Sequence, residues 1–196
     1  MNKDLNELSK EIHAYNVEAG WWTEGICIYS KLQLISTEIA EATEGERKNL
    51  MDDKLPERRM GEVELADALI RTLDFGGRFD LTVWGNEIPS FIYEFFYYAM
   101  ESKSVGHMHM LLTEYVADLY KGCREAFQPQ SKNNNRKEQI EKHMDLEYNT
   151  LVYSIIHVAE LNNYDIWSAM EEKREFNKTR SDHSKESRAS EGGKVW

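Results

Sequence analysis

The sequence predicts an all-α fold, an antiparallel helical bundle, on three observations. Its 196 residues hold only three prolines, Pro56, Pro89 and Pro129. Almost no stretch shows the alternation of β-branched and polar residues that marks a strand. Apolar residues recur instead three and four apart, which lines them up along one face of a helix. A hydrophobic content of 41% is enough for a core, and the length suits one domain.

In chain order, Leu5, Leu8, Ile12 and Tyr15 share one face of a first helix, which EAGWWTEG closes. A second helix is expected from about Ile26 to Arg47, burying Leu32, Ile35, Ile39 and Ala42. KNLMDDKLPERRMG is a polar connection. A third helix, from about Glu62 to Arg78, buries Val63, Ala66, Leu69, Ile70 and Leu73, with Gly76 and Gly77 as potential breakers near its end. LTVWGNEIPS reads as a loop before an aromatic helix, FIYEFFYYAM. A further helix from about Val105 to Phe127 carries Met108, Leu111, Leu112, Tyr115, Val116 and Leu119. QPQSKNNNRKEQ is a linker by composition, and helices follow over about Ile140 to Leu161 and Ile166 to Lys178. The tail TRSDHSKESRASEGGKVW is small and charged, expected to be mobile unless a ligand orders it.

The balance of 24 basic and 35 acidic side chains, a formal charge of -11, argues against a general nucleic-acid or membrane-surface binder. A small phosphorylated ligand stays open, because a bound metal and a few placed bases reverse the local field. Cys27 and Cys123 are too few for a disulfide framework or a zinc knuckle and read as reduced thiols in or near the core. The polar N-terminus is unlike a signal peptide, and no apolar run has the length of a membrane span. A soluble, cytoplasmic protein is expected, in a host's cytoplasm if it is phage-encoded.

Two acid pairs carry most of the functional signal. Glu38 and Glu41 lie three apart in one helix, and Glu64 and Asp67 lie three apart in the next. Residues at that spacing point the same way. Each pair borders an apolar stripe, so its charges gather beside a core, which is costly without a neutralising cation or proton. One such pair is commonplace on a solvated helix face; two on neighbouring antiparallel helices are far more specific. Their oxygens would suit a hard cation such as magnesium. Asp74, about two turns beyond Asp67, reads as a supporting or solvated acid, with an additional ligand as the alternative.

EIAEATEGERK followed by ELADALIRTLDFGG resembles the paired acidic motifs of the MazG-like, all-α nucleoside triphosphate pyrophosphohydrolases. That superfamily includes dimeric dUTPases, dCTP pyrophosphatases and phosphoribosyl-ATP pyrophosphohydrolase. EIHAYNVEAGWW and YSKLQLISTEIAEA are similar to its small, often phage-encoded members, and MEEKREFNKTRSDH to their closing Lys-x-x-x-Asn-x-x-Arg segment. Gly192, Gly193 and Lys194 match a weaker terminal Gly-Gly-Lys. The likeness covers about residues 5–79 and 160–183. It departs where Thr37 stands in place of a first glutamate, and where about 80 residues separate the third helix from the closing segment. The organisation it implies is one MazG-like domain over 1–178, with an insertion at about 80–160, and a polar tail over 179–196.

The resemblance implies a hydrolase that cleaves a (d)NTP to a (d)NMP and pyrophosphate, by water attack at the α-phosphorus. Glu38, Glu41, Glu64 and Asp67 would hold magnesium, with manganese able to substitute, and Glu38 or Glu41 would take the water's proton. Lys31, Lys173, Asn177 and Arg180 would bind phosphate, although helix solvation explains Lys31 equally well. Trp21, Trp22 and Asn16 would meet the base; core packing for the tryptophans and a helix-end cap for Asn16 are the competing readings. Arg71 reads as structural or solvated, His183 as exposed, and the stripe from Phe91 to Tyr98 as core or interface. His107 and His109, two apart, diverge on a helix and make a poor metal pair. The implied assembly is a homodimer or homotetramer acting on a nucleoside triphosphate. The alternatives are a member specialised for one nucleotide, dUTPase-like, and a non-catalytic helical regulator with the insertion as its interface.

Overall fold

A computed structural model of the chain describes residues 4–85, 87–127 and 134–180, the stretch 134–140 by its backbone alone. Most of the tail, with His183 and the Gly-Gly-Lys motif, and residues 128–133, the first half of the expected 128–139 linker, lie outside the described residues. The described residues are all-α. Seven helices follow in order: α1 (Leu5–Glu18), α2 (Ile28–Lys48), α3 (Met60–Phe79), α4 (Ser90–Ser102), α5 (Val105–Ala126), α6 (Asn134–Leu161) and α7 (Ile166–Thr179). Among them there is no strand, only an isolated bridge between Met51 and Arg59. No described helix is long and apolar enough to cross a membrane.

Local chemistry sets the helix ends. Asp4 caps α1 by accepting from the Asn6 N–H at 2.9 Å, Ser104 caps α5 at His107, and Asp165 caps α7 at Ser168. Asn49, Asp80 and Lys103 stop α2, α3 and α4 in the left-handed conformation, with φ of 53°, 55° and 52°.

Helix α3 is the centre of the bundle and packs on α1, α2, α6 and α7; α5 bridges α2 and α6, and α4 lies on α5 and α6. The stripes expected on α2 and α3 are all buried, as are five of the six α5 residues, with Leu111 partly so. The central position of α3 explains why it buries polar side chains too, among them Glu62, Glu64, Thr72 and Asp74. Gly76 and Gly77 do not break α3. A Cβ at Gly76 would run into the Tyr148 hydroxyl, and one at Gly77 would come within 2.7 Å of the Ser9 carbonyl oxygen. They are close-approach positions where α6 and α1 press on α3.

The linker expected over QPQSKNNNRKEQ is shorter than its composition suggests, because α6 already begins at Asn134. Propagation from the long helical run that follows offsets the weak propensity of these first residues. The stripe on α4 divides: Ile92, Phe96 and Ala99 are buried, whereas Tyr93, Phe95, Tyr97 and Tyr98 are exposed. Of the two thiols, Cys123 is in the core and Cys27, at the start of α2, is exposed.

Candidate metal and anion site

The acid pairs lie face to face because α2 and α3 are packed, antiparallel neighbours. One carboxylate oxygen each from Glu38, Glu41 and Glu64 can be chosen so that all lie within 4.8 Å of one another. Glu38 and Glu64 are buried and Glu41 is exposed. Such a set of hard oxygen donors fits a magnesium-sized cation. Burial pushes the Glu64 carboxyl up to about 9; the Lys173 ammonium opposes the shift, and the Asp67 and Glu38 charges add to it. Without a cation, Glu64 therefore holds its proton at neutral pH.

Asp67, expected as a fourth ligand, is paired with a lysine. Its Oδ2 lies 2.9 Å from Nζ of Lys173, which α7 delivers to the face of α3. Burial raises the pKa of Asp67, and Lys173 opposes the rise. Burial works against the Lys173 ammonium too, but Asp67 and Glu64 outweigh it and hold the lysine above its ordinary pKa. Lys173 is thus an ion-pair partner, 4% exposed, and not a phosphate-facing residue in this state.

A pocket of about 350 Å³ opens beside the glutamates. Its lining includes Glu38, Glu41 and Asp67 on one side, Asn177 and Arg180 from the end of α7, and Asn16, Trp21, Trp22 and Lys31 near the α1–α2 connection. All nine are candidate site residues expected from the sequence. Lys31 is buried, not solvated: its ammonium sits 5.1 Å from the Trp22 ring centre and 5.8 Å from that of Trp21, in cation–π range. Asn177 has a buried Oδ1 without a hydrogen-bond partner.

Arg71 was missed. Its Nε donates to Glu38 Oε1 at 2.5 Å, and its side chain, 39% exposed, reaches the pocket. It stands two turns beyond Glu64 on α3, the same spacing that drew attention to Asp74, so the signal was present. Asp74 is a supporting acid: the Trp22 indole N–H donates to both its oxygens at 2.9 and 3.0 Å, and His13 Nδ1 lies 2.8 Å from one of them. This contact sets the Trp22 ring edge, and nothing in the sequence announced His13.

The far end of α7 is fixed by Arg58, from the α2–α3 connection. Its guanidinium donates to Glu62 at 2.8 Å, to both Glu172 oxygens at 2.8 Å and to Ser168 at 2.7 Å. That clamp holds α7 so that Lys173, Asn177 and Arg180 descend along α3 toward the pocket.

Comparison with family models, with curated proteins and with solved structures returned no match to any of the three.

Proposed function

We propose that the chain is a magnesium-dependent nucleoside triphosphate pyrophosphohydrolase of the MazG-like, all-α type. The observation that carries the reading is the juxtaposition of the three-glutamate cluster with a pocket whose lining combines Arg71, Lys31 and Arg180 with two tryptophans. Acids for a hard cation, bases for an anion and planar rings for a base meet in one cleft. A general solvated acidic surface would have no reason to assemble them.

A magnesium ion held by Glu38, Glu41 and Glu64 would neutralise phosphate charge and orient water toward the α-phosphorus. Arg71 turns from Glu38 toward a phosphate oxygen as the triphosphate enters, and Arg180 offers a two-pronged grip at the mouth. Lys31 adds a point charge beneath the tryptophans, and the Asn177 amide takes a polar edge of the ligand. Glu41, the exposed acid of the cluster, is the carboxylate that receives the water's proton on a side-chain oxygen. Trp21 and Trp22 wall the base end of the cleft, with Trp22 braced by Asp74. The products are a nucleoside monophosphate and pyrophosphate.

A panel of nucleoside triphosphates with magnesium, read as pyrophosphate release, tests the reading. Turnover of at least one is expected, with Glu41→Gln slower by about 10²-fold or more while its melting temperature stays close to wild type. No turnover of any nucleotide, or full activity in Glu41→Gln, would overturn it.

A further inference from the structure

We infer that His157 is an acid-sensitive catch for α4: its neutral ring holds the helix against α6, and protonation of that ring releases α4 while the rest of the bundle stays folded.

His157 stands nine residues after Tyr148 on α6, half a turn round the helix from the face that meets α3 at Gly76. That places it under α4. The Tyr93 ring lies nearly perpendicular to the imidazole with centres 4.7 Å apart, and the Phe96 ring does the same at 5.4 Å. His157 is left 3% exposed. Neither of its ring nitrogens has a hydrogen-bond partner among the described residues, nor has the buried Ser154 hydroxyl one turn earlier. Polar groups stranded in this way weaken the packing around them. None of these residues borders the cleft lined by the acid pairs.

Glu160 Oε2 is 3.8 Å from His157 Nδ1, beyond hydrogen-bond reach, and its side chain is 58% exposed, so water screens it. Among the described residues no other charge acts on the ring. Helix α4 offers it the Tyr93 phenol and the Phe96 ring, while Glu94 and Glu101 are exposed on the side away from Ile92 and Phe96. On α5, Glu114 and Asp118 act on Tyr115, which meets Phe96. Burial holds the His157 pKa below its ordinary value against the weaker pull of Glu160. A proton on His157 is thus favoured once α4 has moved and water reaches the ring.

The helix that moves is lightly tied down. Only Ile92, Phe96 and Ala99 of α4 are buried, whereas α3 buries fourteen residues, and no side chain caps α4 at Pro89. Elements with so little buried surface are the ones that open locally. The docked helix is fully held above the unfolded histidine pKa of about 6.5 and loosens as pH falls below it. At pH 5, an imidazole that titrates only in the released state favours release by up to about 30-fold over pH 7.5.

Hydrogen exchange of the full-length chain, followed by mass spectrometry at pH 7.5 and pH 5 and corrected for the intrinsic pH dependence of exchange, reads the release. In wild type, α4 amides are expected to exchange about 3- to 30-fold faster at pH 5 than at pH 7.5, and ahead of those of α3. His157→Phe, which cannot titrate, is expected to lose most of that difference. Tyr93→Ala, at a position 45% exposed, opens His157 to water. Its α4 is expected to exchange faster already at pH 7.5 and to respond less to acid, which decides the matter if His157→Phe does not fold. Equal α4 protection at the two pH values in wild type, α4 exchange that merely tracks α3, or a full acid response in either variant would overturn the catch.

Discussion

His109 offers a measurable link between the segment over about 80–160 and the helix that carries Glu38 and Glu41. It sits on α5, 2% exposed, with Nδ1 2.9 Å from Thr43 Oγ1 on α2. Thr43 already donates its hydroxyl proton to the Ile39 carbonyl at 2.8 Å, so it accepts from His109, and Nε2 is the unprotonated ring nitrogen. That Nε2 is buried without a partner. Burial lowers the His109 pKa from 6.5 to about 4, against a smaller opposing pull from Glu46. The folded state therefore disfavours the protonated ring. Stability is complete above the unfolded pKa of about 6.5 and is lost as pH falls toward 4. With 1.36 kcal/mol per pKa unit, the loss is about 2 kcal/mol at pH 5 and about 3.4 kcal/mol well below pH 4. His109→Gln keeps a donor for Thr43 and cannot titrate. Urea unfolding of both proteins at pH 7.5 and pH 5 isolates the effect from carboxylates common to the two. Wild type should lose about 2 kcal/mol more than the variant between these pH values. Parallel losses would show that His109 is not the buried neutral group described, and that the α5–α2 contact is looser than drawn.

Glu64→Gln should stabilise the metal-free protein at pH 8, because a carboxyl held at about 9 costs the fold increasingly as pH rises from its unfolded value of 4.5. The same change should abolish the rise in melting temperature on adding magnesium; lower stability of the variant without metal would contradict the first expectation. Arg58→Ala removes donors to Glu62, Glu172 and Ser168 and should cost about 2–3 kcal/mol in urea unfolding, since charge-assisted hydrogen bonds are lost and Glu62 is left poorly paired. A cost under about 0.5 kcal/mol, the scale of a surface ion pair, would refute the clamp. Gly76→Ala places a methyl against the Tyr148 hydroxyl and should cost about 1–3 kcal/mol by overpacking; the slight stabilisation expected at an open helical glycine would refute the close approach.

The exposed rings of α4 show where sequence reading runs out. Six aromatics in one short helix read as core or interface, and among the described residues α4 packs chiefly on α5 and α6 and hides one face. Periodicity states which residues share a face, and it cannot state how many neighbours a helix will have. The glycine pair in α3 gives the same lesson: composition proposes a break, whereas the nearness of Tyr148 and Ser9 makes the absent side chains a packing requirement.

For the candidate site, residue chemistry and the three-residue spacing singled out Glu38 with Glu41 and Glu64 with Asp67, because helical geometry aims side chains at that separation in one direction, and the first three lie within reach of one another. The all-α class followed in the same way from apolar repeats, since those repeats directly express which helix faces leave water. Only the tertiary structure paired Asp67 with Lys173, buried Lys31 over the tryptophans, and brought Arg71 to Glu38. Those outcomes depend on how α7 and the α1–α2 connection dock on α3. A carboxylate's choice among competing cations is settled by distances of a few ångströms between elements remote in the chain, where Coulomb energy and desolvation change fastest.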